Sequence, residues 1–229
     1  MSNKEAGSLH REGRRILRLL TQEPVDHLIA QEPGGRPYFV DHRGDFNISH
    51  TGRTVAVTYT QARSTLRGVP LRTGCDIEHL HPRRNLETIA SRFFTREEHT
   101  YITGGTSERV RTTRFYQLWV VKECFLKTLG LGLGFIHHTP NFIQGNTLGH
   151  RLTCQDPGST CTSELALSLY LYALGDFPEE QYLLALAQER NPRNLEPFPP
   201  ELTVRWFSQE SLTLRNMAEI SVLVYPQER

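Results

Sequence analysis

Almost no charge excess separates bases from acids in these 229 residues: 26 Lys and Arg stand against 25 Asp and Glu, a formal net charge of +1. A chain so balanced has no overall field that selects nucleic acid. No run of about 20 apolar residues of the kind that spans a bilayer is present, and Met1 to His10 is polar, with no apolar signal core. Cysteine is scarce: Cys75, Cys124, Cys154 and Cys161 form no C-x-x-C pair, and the first two sit in apolar runs and read as small buried residues. There is no low-complexity tract and no strong repeat. These absences leave a soluble, reducing, cytoplasmic protein as the expectation. The hydrophobic fraction, 38%, is somewhat low. The length still suits one large domain or two small lobes packed together.

Charge is uneven where it occurs. From Lys4 to Arg18 five basic residues face two acidic ones. That run is either an anion site or the solvated face of a helix. The helix expected there covers Ser8 to Leu20, with Leu9, Ile16, Leu19 and Leu20 as its apolar stripe and Pro24 as its limit. Strands are expected at Asp45 to Ile48, Thr54 to Thr60 and Arg72 to Glu78, with His50-Thr51-Gly52 as the turn between the first two. Helices follow at Asn85 to Phe93, from Thr95, and at Ser107 to Leu129. Thr95 and Glu98 have capping-box spacing, and Gly130 stands where a C-cap glycine belongs. Leu118, Val121, Phe125 and Leu129 recur at helical spacing. Beyond them Ser163 to Leu174 reads as strand or helix, Tyr182 to Gln188 as strand, and Leu202 to Phe207 and Glu219 to Tyr225 as two more strands. The pattern is mixed α+β, without regular alternation of strand and helix.

Three short stretches carry chemistry. In Gly74-Cys75-Asp76-Ile77-Glu78, a strand turns Cys75 and Ile77 to the core and Asp76 and Glu78 together to the other side. Paired carboxylates raise each other's proton affinity, and a hard cation relieves that. Oxygen-only ligands favour magnesium or calcium over zinc; two solvated acids at a strand end are the bland alternative. On a helix, Trp119, Glu123 and Lys127 form one stripe, and Lys122 is offset by about 100°. A surface Glu–Lys pair would look the same, but a Trp in the stripe argues for partial burial. In Phe46-Asn47-Ile48-Ser49-His50, Asn47 and Ser49 alternate with apolar neighbours. His50, near Arg53, either meets a phosphate or caps the turn it starts.

Taken in order, F-N-I-S-H at 46–50, G-C-D-I-E at 74–78, R-F-F-T-R-E-E at 92–98 and W-V-V-K-E-C-F-L-K at 119–127 resemble the 4′-phosphopantetheinyl transferases of the larger, monomeric, surfactin-synthetase-activating type. The resemblance runs over roughly residues 10 to 190. It implies an α+β fold of two similar lobes related by a pseudo-twofold axis, with the active site in the cleft between them. The lobes would be 1–72 and 73–190, followed by an extension of unassigned role at 191–229. It implies a monomer that is a pseudo-dimer. It also implies Mg-dependent transfer of phosphopantetheine from coenzyme A to a serine of an acyl or peptidyl carrier protein, with release of 3′,5′-ADP.

The resemblance implies roles residue by residue. Asp76, Glu78 and Glu123 hold magnesium. Lys127 neutralises phosphate charge, and Lys122 is a secondary phosphate or positioning contact. Ser49, His50, Arg36 and Arg14 meet the phosphates of coenzyme A, with Arg36 at the 3′-phosphate. Glu123 is the favoured general base and Glu98 the alternative, although its capping-box position gives Glu98 a structural reason to be there. Arg83, Arg84, Arg92 and Arg96 would face an acidic carrier helix. Against the family the N-terminus looks short, so part of the nucleotide site is expected to be reduced or rebuilt. A different class stays open beside the enzyme: a non-catalytic module that binds coenzyme A or a carrier protein.

Overall fold

The computed structural model describes residues 3–52, 54–61, 65–66, 69–144, 147–148, 151–155, 164–177 and 180–190, with side chains described for 9–52, 54–61, 71–143 and 181–189. In chain order, helix α1 (Asn3–Thr21) is followed by strands β1 (Ile29–Gln31), β2 (Pro37–Phe39), β3 (Gly44–Thr51), β4 (Thr54–Gln61), β5 (Thr65–Leu66), β6 (Val69–Pro70) and β7 (Thr73–His79). Helices α2 (Leu86–Phe93), α3 (Arg96–Thr103) and α4 (Glu108–Leu129) come next. Strands β8 (Ile143–Gln144), β9 (Thr147–Leu148), β10 (Arg151–Gln155), β11 (Glu164–Phe177) and β12 (Glu180–Arg190) complete the described elements. The architecture is mixed helix and strand, as the sequence pattern indicates.

Most boundaries agree with the sequence to within a few residues. The segment read as strand or helix is strand β11. His50 is not in a turn: β3 runs on to Thr51, and the chain reverses at Gly52. The strands expected at 202–207 and 219–225, with the rest of the 191–229 extension, lie outside the described residues.

The largest sheet has the order β10-β11-β12-β7, antiparallel throughout, so among the described residues β7 has one strand neighbour. Its two faces differ. Cys75 and Ile77 pack with Leu184 and Ala56, toward the β3–β4 hairpin. The face carrying Asp76 and Glu78 also carries Leu183 and Ala185, which stand directly opposite them on β12 and belong to the main core beneath α4. Helix α4 can lie close to β7 because position 74 has no side chain: a Cβ there would come within 2.0 Å of Thr128 Oγ1 and 2.8 Å of the Cys124 carbonyl. A separate apolar cluster, Leu17, Val25, Phe39 and Phe46, joins α1 to the first strands.

Helix ends follow their sequence signals. Ser107 caps α4, its hydroxyl accepting the Val110 N–H, and Gly130 ends the helix at φ +74°, where a side chain would be strained. Thr95 and Glu98 close a full capping box on α3. No helix among the described residues is long and apolar enough to cross a membrane.

Candidate active site

Asp76 and Glu78 share a face of β7 because strand side chains alternate, and Glu123 reaches them from α4. One ligand oxygen from each of the three lies within 4.8 Å of the others. The trio comes from one strand and one helix 45 residues further on, so only the folded chain assembles it. Burial raises the proton affinity of all three. Glu123 is pushed up to about 7, first by burial and then by the charges of Asp76 and Glu78. Asp76 is raised by burial, and Glu78 by burial and by Asp76.

Among the described residues Lys127 is the cation in direct contact with this charge, while the charge of Arg83 acts on Glu78. The Lys127 ammonium donates to Asp76 Oδ1 at 2.5 Å and to Ser49 Oγ at 2.8 Å, and stands 3.9 Å from Glu123 Oε2. Burial works against its charge, but Asp76 and Glu123 more than offset that and hold it protonated. Even with the charge of Arg83 acting on Glu78, two cations do not balance three carboxylates. Moreover, Asp76 Oδ2 is buried without a hydrogen-bond partner among the described residues. An orphaned buried carboxylate oxygen is costly, and here it belongs to an all-oxygen donor set. These residues fit a hard divalent cation.

Ser49 is buried, and its hydroxyl donates to Asp76 Oδ1 at 2.7 Å, so it lies within the acidic cluster itself. His50, next along β3, is exposed. Arg14, half-exposed on α1, donates to His10 Nε2 at 3.4 Å and stands 3.6 Å from Asp26. The His10 imidazole is held below its usual range by burial and then by the positive charges of Arg14 and His50, so these three basic groups share one region of the surface.

Three expected residues sit elsewhere. The Arg36 guanidinium is not at the surface where a 3′-phosphate would meet it. It is buried on Asp45 through two hydrogen bonds, at 2.9 and 2.5 Å, because that carboxylate is buried beside it. Lys122 and Glu98 are paired with each other and not with the acidic trio. Lys122 Nζ is 2.9 Å from Glu98 Oε2 and donates to Thr139 Oγ1 at 2.6 Å. Glu98 Oε1 accepts the Phe142 N–H at 3.1 Å and its other oxygen accepts Thr95 N–H, so neither oxygen is free to act as a base. Lys122 is 1% exposed and Glu98 0%.

The sequence reading passed over Asp45 and Thr51. Thr51 Oγ1 donates to Glu78 Oε2 at 3.0 Å. A signal for both exists: Asp45, Asn47, Ser49 and Thr51 place a polar residue at every second position of one strand.

Three convergent carboxylates and a held ammonium form a site of the class that handles phosphate groups with a hard cation. Residues 72–187, just over half of the chain, match the sequence model of the 4′-phosphopantetheinyl transferase superfamily. The chain belongs to that superfamily, and so to the transferases. It is similar to a provisionally named 4′-phosphopantetheinyl transferase of Synechocystis sp., with 28% identity over 211 residues, 81% of each chain. It is also similar to 4′-phosphopantetheinyl transferase Sfp of Bacillus subtilis, 39% identical over 52% of this chain and 48% of Sfp. HetI of Nostoc sp., named for the same activity, is 31% identical over 53% of this chain and 51% of its own. Against Sfp and HetI the matched part spans about half of the relative's length.

Proposed function

We propose that this protein transfers 4′-phosphopantetheine from coenzyme A to a serine hydroxyl of an acyl or peptidyl carrier protein, with magnesium, and releases 3′,5′-ADP. The observation that carries the reading is the trio Asp76, Glu78 and Glu123 with Lys127 at its edge, in a chain of this superfamily. The three carboxylates would hold the magnesium ion, which when bound offsets charge on the pyrophosphate and on the transition state.

The chain's own groups divide the remaining work. Glu123 is the helix-borne carboxylate of the trio and is assigned to take the proton of a serine hydroxyl brought to the site. It is the general base of this reading. As the serine Oγ–P bond forms, the bond from the β-phosphorus to the bridging oxygen breaks and the serine proton passes to Glu123. Lys127 keeps a positive charge beside the bond that breaks. Arg14 and His50, with His10 beside them, are the basic groups for the nucleotide phosphates. Lys122 acts by position, fixing α4 against α3 through Glu98. Arg84, Arg92 and Arg96 are exposed and are the face offered to an acidic carrier helix, whereas Arg83 is half-buried and donates to the Tyr116 hydroxyl at 2.9 Å. The active site lies in a cleft between two lobes, 1–72 and 73–190, and the enzyme works as a monomer in the cytoplasm.

The test is direct. The full chain is incubated with apo-carrier, coenzyme A and magnesium, and the carrier is weighed by intact-mass spectrometry. The expected result is a gain of one phosphopantetheine arm, abolished by EDTA. Binding of coenzyme A with no gain on any of several carriers would replace the enzyme with a binding module.

A further inference from the structure

Among the described residues β7 is the last strand of its sheet, so one row of its backbone N–H groups has no described strand to bond to. Side chains of β3 accept that row one after another. Asp45 Oδ2 accepts the Thr73 N–H at 2.6 Å, Asn47 Oδ1 the Cys75 N–H at 3.2 Å, and Ser49 Oγ the Ile77 N–H at 3.3 Å. Each step is two residues on both strands, so one polar face of β3 stands in for a neighbouring strand. All three side chains are buried. A buried N–H left without an acceptor costs about as much as a lost hydrogen bond, so the row demands an acceptor at each of these positions.

The consequence reaches the acidic centre. Asp76 lies between Cys75 and Ile77, so the backbone on both sides of it is referenced to β3. Its side chain is too, through Ser49. The same strand also reaches α4. Asp45 holds Arg36, whose Nε donates to the Lys127 carbonyl at 3.1 Å and whose Nη2 donates to the Thr73 carbonyl at 3.0 Å. The two elements that bring the acids and the lysine together are thus tied to one face of a third.

We infer that Asp45 and Asn47 are positioning residues for the acidic centre: they touch no substrate, and they hold β7 and α4 in the register that lets Asp76, Glu78 and Glu123 converge on one cation. This inference takes the identity of the centre from the function proposed above. Its test also includes an arm that needs no turnover. Removing the partners that orient metal ligands costs roughly 10–100-fold in metal affinity or activity, and a misplacement of about 1 Å is enough for such losses.

The decisive variant is Asn47→Leu, of similar size and without an acceptor. Asn47→Ser keeps an oxygen, and Ser49 already makes the equivalent bond one step further along the same strands. Leu17→Ala is the control, weakening the α1 cluster without touching β7. Mn2+ binding to the free full-length protein is measured by electron paramagnetic resonance, beside kcat, KM for coenzyme A and Tm. Asn47→Leu is expected to weaken Mn2+ binding about tenfold and to lower kcat by roughly 10–100-fold, with KM for coenzyme A within about twofold. Asn47→Ser should recover most of both, and Leu17→Ala should lower Tm while leaving Mn2+ affinity and kcat alone. Unchanged Mn2+ affinity in Asn47→Leu, or an equal loss in Leu17→Ala, overturns the inference. Should Asn47→Leu not fold, Asp45→Asn carries the same measurement, with about a tenfold loss expected and wild-type affinity overturning it. A wild-type protein that transfers nothing, in a series where Mn2+ affinity still tracks position 47, overturns the proposed function and leaves this inference standing.

Discussion

Helix α4 carries two lysine–carboxylate pairs five residues apart, and they have opposite characters. Lys122 and Glu98 are sealed in the core. The ammonium has one carboxylate, one hydroxyl and the faces of Phe94 and Phe142, each 5.6 Å away, around it. Both Glu98 oxygens are bonded, and charge balances one to one. Burial still holds Lys122 below its usual proton affinity, with Glu98 opposing that effect. Lys127 faces three carboxylates from a half-exposed position, and one of their oxygens has no partner. A balanced, enclosed pair fixes structure. An imbalance of acid beside a lysine leaves room and charge for a further cation, which is what a site for phosphate chemistry requires.

The largest effect is expected where the imbalance lies. Asp76→Ala should reduce transfer by roughly 10³-fold and lower Tm by no more than a few degrees, because it removes a ligand and not core packing. Mass spectrometry of the carrier and a melting curve check both. Near-normal turnover would sink the metal assignment. The buried pair should answer in the opposite way. Lys122→Ala leaves Glu98 enclosed without its cation and should cost about 3–5 kcal/mol of stability. The double variant Lys122→Met, Glu98→Gln should regain part of that, because no charge is left unpaired although the amide can accept only one of the two backbone N–H groups that Glu98 holds, and well below its Tm it should turn over within about fivefold of wild type. A folded double variant with a hundredfold loss of kcat would instead put Lys122 or Glu98 in the chemistry.

Acidity separates the two regions further. Folding raises Glu123 from 4.5 to about 7, and Asp76 and Glu78 move the same way. An acid with a raised folded value stabilises the fold fully below its unfolded value. That contribution is lost as pH climbs through the folded value. The metal-free protein should therefore be less stable at about pH 8 than at about pH 5, by on the order of 2 kcal/mol. Magnesium competes with those protons, so its stabilisation should be larger at the higher pH. Melting curves in EDTA and in magnesium at both pH values decide this, and an equal magnesium shift at the two would contradict it.

What the sequence made legible was local. Alternation put Asp76 and Glu78 on one face of β7, the helical period put Trp119, Glu123 and Lys127 in one half-buried stripe, and the Thr95–Glu98 spacing announced the capping box that α3 has. What stayed hidden depends on partners far along the chain. Nothing near Lys122 says that Glu98, 24 residues earlier, will neutralise it. The basic residue before Pro37 looks like a phosphate ligand until Asp45 is folded onto it. Ser49 reads as a phosphate contact because its actual partners, the Ile77 N–H on the edge of β7 and the carboxylate of Asp76, meet it only in the folded chain.

The smallest expected effect tests how far that strand's influence extends. Thr51 is the fourth polar residue on the β3 face, and it touches an acid's side chain without holding the backbone of β7. It lies near the rim, where water can replace a lost hydroxyl. Thr51→Val keeps the shape and removes the hydrogen that Glu78 Oε2 accepts. One such bond to a charged group is worth about 1–2 kcal/mol when no water takes its place, and less when one does. Transfer should fall about threefold, with Tm nearly unchanged. The contrast with Asn47→Leu is the informative part: a bond to a ligand's side chain adjusts one oxygen, whereas a bond to the backbone beside a ligand sets where the whole strand lies. Equal losses at positions 51 and 47 would mean that β3 acts on the acids one by one and not through the position of β7.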